Sequence, residues 1–382
     1  MLTSASIKHH ARKCGFDLCG IARADRHPKL ARLGDWLDQG RAGDMRYLHE
    51  SRDERLDPAQ VLRSARSIVS LGVVYNANDT QRRRDTRRRG EDTDNRGGRG
   101  DAEIARYARG EDYHDVLRVR LRALLEWIAA EAGPGLEAFS CVDNGPIQER
   151  VFAEQAGLGW IGKNTCVINP AIGSWFVLAE ILTNLDLEPD APAVDQCGTC
   201  TRCLDACPTG ALTAAYELDA TRCLSYLTIE TRAPVDAGLR PQISAQVYGC
   251  DICQDVCPWN RRAAVSDDPA WHPRAGLDAP RLLDLCTMSD DAWRALIKGS
   301  AMRRAGLKRI RRSLAYAAAS LDEPERTAAI AALSAHSSGE DPDVAEGLRW
   351  AGNQETRLRG HKETRTQGDE ATRRQEDEET RT

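Results

Sequence analysis

The sequence predicts a mixed fold, α+β or α/β, in three successive parts. An N-terminal α/β module comes first, then a small cysteine-rich module, then a C-terminal helical segment. Three observations predict it. Apolar β-branched runs alternate with amphipathic helical runs before residue 185. Eight of the thirteen cysteines fall between Cys197 and Cys257. Helical spacing dominates residues 277–335. The boundaries drawn on this basis are 1–185, 186–262 and 263–350, followed by a tail at 351–382.

Length and charge bound the rest. A chain of 382 residues has room for two or three domains. Lys plus Arg number 53 against 58 Asp plus Glu, a net charge of −5, which excludes a uniformly basic nucleic-acid binder but not a local basic face. No apolar run approaches the roughly 20 residues of a membrane span. Lys8, His9, His10, Arg12 and Lys13 have no apolar block behind them, so no secretory signal is expected. The expected compartment is the cytoplasm, where thiols stay reduced and clustered cysteines usually mean metal.

The elements follow in order. Residues 4–14 have helical spacing, and 17–22 read as a strand or turn. Residues 66–75 form an apolar run suited to a buried strand. Residues 79–103 contain no Leu, Ile, Val or aromatic residue and are rich in arginine, so the stretch is expected to be a disordered, solvated insertion. Residues 115–132 read as an amphipathic helix with Val116, Leu117, Leu121, Leu124, Leu125 and Ile128 on one side. Residues 137–142 and 174–182 read as strands, with a glycine-punctuated stretch at 157–164 between them. Beyond 277 the chain is helical. Residues 298–312 carry seven basic side chains and no acidic one, read as one basic helix. The tail repeats Glu-Thr-Arg and is expected to be disordered.

The cysteines carry the strongest chemical signal. Cys197, Cys200, Cys203 and Cys207-Pro208 have the two-cluster ferredoxin spacing, in which three thiolates wrap one cubane and the fourth reaches its neighbour. Cys250, Cys253 and Cys257-Pro258 repeat the pattern with one cysteine missing, and Cys223 is the natural replacement. Crossed ligation follows: one [4Fe-4S] cluster on Cys197, Cys200, Cys203 and Cys257, the other on Cys207, Cys223, Cys250 and Cys253. Zinc also uses CxxC pairs, but rarely three cysteines at this spacing followed by Cys-Pro.

Three N-terminal segments are dense in polar, glycine and aromatic residues: RYARGEDYH (106–114), VDNGPIQER (142–150) and GLGWIGKNT (157–165). Asp143 ends a strand, where α/β folds face a ligand crevice; an Asp before Asn-Gly is also an ordinary turn-former. With GSWFVLAEILTN (173–184), RCLSYLTIE (222–230), YGCDICQDVCPWN (248–260) and the cysteine pattern, these segments resemble the epoxyqueuosine reductases over residues 4–78 and 104–315. The order of modules is also similar to that of reductive dehalogenases, which typically carry a twin-arginine export signal that is not seen here.

The resemblance implies a cobalamin-dependent enzyme with two [4Fe-4S] clusters that reduces the epoxide of epoxyqueuosine at the tRNA wobble position, the last step to queuosine. It implies Asp143 as proton donor to the epoxide oxygen, with burial beside an apolar corrin raising its pKa. It also implies cofactor contacts at Arg55, Tyr107, Lys163, Asn164 and Ser225, with Arg55 and Lys163 facing cofactor oxygens. For Arg55 a surface salt bridge with Asp53 or Asp57 is the competing reading. The implied partners are the anticodon loop of a queuosine-family tRNA and an external low-potential electron donor, with no membrane and a monomeric enzyme. Arg303, Arg304, Lys308, Arg309, Arg311 and Arg312 are the expected tRNA contacts. A short helical, HEAT-like segment is expected in place of a full repeat array. The competing functions are a cytoplasmic dehalogenase acting on a small organohalide and a ferredoxin with an appended binding module.

Overall fold

The computed structural model describes residues 2–77, 100–336 and 342–353. Its centre is a four-stranded sheet in the order Leu18–Arg23, Ser67–Val74, Phe176–Thr183, Ala138–Cys141. Every neighbouring pair is antiparallel. The alternation of strands and helices predicts an α/β core, and this sheet corrects it to α+β. The rule that places ligands at the carboxyl ends of parallel strands therefore does not apply to Asp143.

All eight residues of Ser67–Val74 are buried, because the strand is central and covered on both faces. Its side chains alternate between two cores. Val69, Leu71 and Val73 pack with Ile7 and Ala11 of the helix Ser4–Lys13 and with Leu117, Leu121, Leu124 and Ile128 of the helix Tyr113–Ala132. Ile68 and Val74 face the opposite way, against Val151 and Phe152 of Glu149–Gln155. The predicted apolar face of the long helix is thus the one that packs. Gly20 marks the tightest approach: a Cβ there would lie 2.0 Å from the Ala156 carbonyl oxygen at the end of Glu149–Gln155.

The C-terminal helices Leu282–Thr287, Asp290–Ile297, Gly306–Ala317, Glu325–His336 and Pro342–Gly352 share a core with Ala102, Ile104, Ala108, Val247 and Tyr248. This corrects one edge of the expected insertion. Ala102 is fully buried, and Glu103–Ile104 pairs in parallel with Gln246–Tyr248. Residues 79–99 of that insertion lie outside the described residues. The expected tail also begins too early, since the last helix runs to Gly352 and Ala351 is buried; residues 354–382 lie outside the described ones.

The run 298–312 is not one helix. Asp290–Ile297 ends before Lys298, Ala301–Arg304 is a single 3-10 turn, and Gly306 opens Gly306–Ala317 at φ +70°. Two of its arginines point inward, correcting their expected role on tRNA. Arg311 donates to the carbonyls of Cys286 and Met288 and pairs with Asp290. Arg312, 1% exposed, donates to the carbonyls of Leu227, Thr231 and Ala233. Both pin the helix Gly306–Ala317 to its neighbours.

Candidate active site

The cysteine segment folds into two short helical turns that end alike. Arg202–Ala206 ends at Cys207 (φ −68°, ψ 110°), and Ile252–Asp255 is followed by Cys257 (φ −67°, ψ 125°). The proline after each forbids a further helical residue and turns it out in extended geometry. Each of these cysteines therefore leaves its own triplet for the other. Cys197, Cys200, Cys203 and Cys257 line one small cavity. Cys207, Cys223, Cys250 and Cys253 line a second, larger one. The crossed sets expected from spacing are the sets brought together. Four thiols lining one space are the donor set that a [4Fe-4S] cluster takes.

The first cavity, about 40 Å³, is walled by Trp259, and the Trp160 indole N–H points at the Cys197 sulfur at 3.5 Å. Such an N–H···S contact is one of the levers that set a cluster's potential. The hairpin of Trp160–Ile161 with Val167–Ile168 carries Lys163 and Asn164 at its tip. Lys163 Nζ donates to the Gly198 and Cys200 carbonyls, so it braces the first cysteine loop and lines that cavity rather than the larger cleft. Asn164 is buried, donates to the Cys253 carbonyl at 3.4 Å and lines both spaces.

The second cysteine set opens onto a cleft of about 420 Å³. Tyr75, Tyr107, Tyr113, Phe176 and Leu178 give it an aromatic and apolar wall; Ser225, just after Cys223, and Asp143 add polar groups. The Tyr107 ring meets Tyr75, Tyr113 and Tyr248 edge-on or tilted at 5.8–6.5 Å between centroids. A large, flat, mainly apolar group fits this lining, with the second cysteine set along one side.

Asp143 sits just past the strand Ala138–Cys141 at φ +58°. Its side chain is 60% exposed on the cleft. Oδ2 accepts from the Tyr113 hydroxyl at 2.7 Å and lies 3.6 Å from His114 Nε2. His114 is itself aimed by Asp112, whose carboxylate contacts Nδ1 at 2.8 Å. The backbone N–H of Asp143 donates to Glu149 Oε1 at 2.8 Å. Burial lowers the His114 pKa, but Asp112 and Asp143 outweigh it and carry it to about 9. Desolvation by the surrounding cleft walls would raise Asp143; the Tyr113 hydroxyl on its carboxylate and the His114 imidazole beside it outweigh that and hold the carboxyl below the usual range. Glu149, desolvated and next to the Asp143 charge, is pushed above it. In the chain by itself these contacts favour the carboxylate form of Asp143, the opposite direction to the shift expected from burial beside a corrin.

Arg55 is buried, which corrects the salt-bridge reading. Asp57 pairs with Arg26 instead. Arg55 donates to Ser51 Oγ at 2.9 Å and to the Ile147 carbonyl at 3.3 Å, and the Gln148 amide donates back to the Arg55 carbonyl at 2.9 Å. It braces the Asp143 loop from behind and does not line the cleft. Tyr113, His114 and Glu149 carry no assigned role in the sequence reading, although two of its quoted motifs contain them. Cys166, outside the spaced cysteine motifs, also lines the cleft beside Cys253.

Comparison with known proteins agrees with this arrangement. A family model described as "4Fe-4S double cluster binding domain" matches residues 196–260. A second, "Epoxyqueuosine reductase QueG, DUF1730", matches residues 55–144. The epoxyqueuosine reductase of Xanthomonas campestris is 38% identical over 349 residues, 91% of this chain and 95% of its own. An epoxyqueuosine reductase structure from Bacillus subtilis, its aspartate-bearing catalytic loop swung out of the active site, superposes with a TM-score of 0.77 at 29% identity, covering 91% of this chain and 88% of that one. Another, bound to an epoxyqueuosine-modified tRNA-Tyr stem loop, superposes at 0.73 and 29% identity, covering 91% and 92%. The chain belongs to the epoxyqueuosine reductase family.

Proposed function

We propose that this protein reduces the epoxide of epoxyqueuosine in tRNA, giving queuosine. The reaction consumes two electrons and two protons; both C–O bonds break, a carbon–carbon double bond forms and the oxygen leaves as water. The observation that carries the reading is the carboxylate corner of Asp143, Tyr113 and His114, set on an aromatic cleft whose other side is the second cysteine set. Two [4Fe-4S] clusters on the crossed cysteine sets and a cobalamin in the cleft, when bound, supply electrons one at a time and the reducing pair at the epoxide carbon.

The residues of this chain handle the proton. An epoxide oxygen is a poor leaving group until protonated. The Asp143 carboxyl lines the cleft, the Tyr113 hydroxyl donates to its Oδ2, and the His114 imidazole stands 3.6 Å from the same oxygen. A proton moved from His114 onto Asp143 can then be passed to the oxygen, and His114 is charged across the neutral range. Glu149 holds the loop at the Asp143 backbone N–H. Tyr107, Asn164 and Ser225 line the cleft where the cofactor would sit. Arg303, Arg304 and Lys308 are exposed and remain the expected tRNA side, with Arg309 half-buried beside them.

The dehalogenase alternative gains nothing from the curated relatives, which carry the name epoxyqueuosine reductase. The deciding experiment incubates anaerobically purified protein, reductant and tRNA from cells lacking the final queuosine step, followed by nucleoside mass analysis. Appearance of queuosine is expected. No conversion by protein loaded with iron and corrinoid overturns the reading.

A further inference from the structure

We infer that Tyr47 and Arg304 form a stacking platform for an unpaired nucleobase of the anticodon loop, beside the nucleoside being reduced. The inference rests on the tRNA reading above and adds a site to it.

Tyr47 lies on the short helix Arg46–Glu50 and is 41% exposed, one of five large hydrophobic side chains that stand out to solvent among the described residues. The Arg304 guanidinium lies over its ring, 5.4 Å from the centroid. Arg304 is fixed in turn by Glu230, which accepts from its Nε at 2.6 Å. Three distant segments thus converge on one exposed aromatic ring and one planar cation. Both groups lie within electrostatic reach of the Asp143 charge, on the same side of the molecule as the carboxylate corner.

Charge arithmetic decides what this pair recognises. Glu230 compensates Arg304, so the pair is a poor phosphate counter-ion. What stays available is π surface: a phenol and a guanidinium plane, both half-exposed. Single-stranded bases stack on such surfaces with little sequence preference and little dependence on salt. A base splayed out to reach Asp143 leaves its neighbours unstacked, and the platform sits where such a neighbour needs a partner.

The test uses the full chain and a tRNA-Tyr anticodon stem–loop, with binding measured by fluorescence anisotropy over a range of salt concentrations. Tyr47→Ala is expected to weaken binding about 5- to 100-fold without changing the slope of log K against log salt. Tyr47→Phe and Tyr47→Trp should bind within about 2-fold of wild type, since the ring is kept. Arg304→Lys, which keeps the charge and loses the plane, should weaken binding with the slope again unchanged. Equal iron content in wild type and Tyr47→Ala shows that the fold is kept. Wild-type affinity for Tyr47→Ala, or a loss accompanied by a shallower salt slope, overturns the platform alone. Failure of the wild-type protein to bind the stem–loop at all overturns the tRNA reading and the platform together.

Discussion

The two cysteine-lined spaces differ in what they face. Cys197, Cys200, Cys203 and Cys257 surround a cavity of about 40 Å³ beside Trp259 and Lys163, and none of them lines the cleft that holds Asp143. Cys207, Cys223, Cys250 and Cys253 open directly onto that cleft. Nearly the same motif therefore occupies two different positions. With clusters bound, the second set would face whatever occupies the cleft and the first would stand behind it, the order of the relay we propose. The Cys-Pro exchange that crosses the two sets also locks them side by side, and Arg106 fastens the second loop to the N-terminal half through Asp255 at 2.7 Å and the face of Trp175.

Removing one cysteine from each set breaks the comparison most severely. Cys250→Ser should lose about half the iron and abolish turnover with any reductant, because the cleft-side group is gone. Cys200→Ser should lose a similar share of iron and fail with a protein donor, yet keep turnover with a low-potential chemical reductant that reaches the cleft directly. Iron analysis and turnover assays with both reductants check this; equal behaviour of the two variants would erase the proposed order.

Asp143→Asn should cost about 10²–10⁴-fold in turnover with iron and corrinoid content unchanged, the usual size of a lost proton transfer. His114→Gln should cost less, about 10-fold or more, and change the pH profile. His114 has its folded pKa raised from 6.5 to about 9. Its contribution to stability is therefore full below about pH 6.5 and is lost as pH rises through about 9. Denaturant titrations should show the wild type's advantage over His114→Gln shrinking across that window, and the alkaline limb of turnover near 9 should vanish in the variant.

Effects outside turnover separate arginines only nine positions apart. Arg312→Ala orphans three buried carbonyl contacts and should cost about 2–4 kcal/mol of stability in denaturant titration, with the salt slope of RNA binding intact. Arg303→Ala should leave stability within about 0.5 kcal/mol and lower that slope by about 1.

These contrasts also mark what the sequence could show. Cysteine spacing at two to three residues is local, so seven of the eight cysteines were readable from their motifs, and Cys223 followed as the one left to complete the second set. The helix of residues 115–132 and the strand of residues 66–75 were readable for the same reason: their periodicity is set by burial on one face or on both. The sheet's antiparallel pairing was not, because alternating elements look alike whichever way a strand runs. Nor was the inward turn of Arg311 and Arg312, since a run of like charges says nothing about carbonyls more than twenty residues away. The carboxylate corner lies between these cases. Asp143 could be singled out in its motif, but its protonation depends on Tyr113 and His114, 30 and 29 positions earlier, and only the fold shows that they converge on its carboxyl.

The most direct measurement is nucleoside mass analysis of epoxyqueuosine-containing tRNA incubated anaerobically with loaded wild-type protein and with Asp143→Asn. Queuosine should form with the wild type and not with the variant, at equal iron and corrinoid content. Conversion by the variant at the wild-type rate would contradict the account.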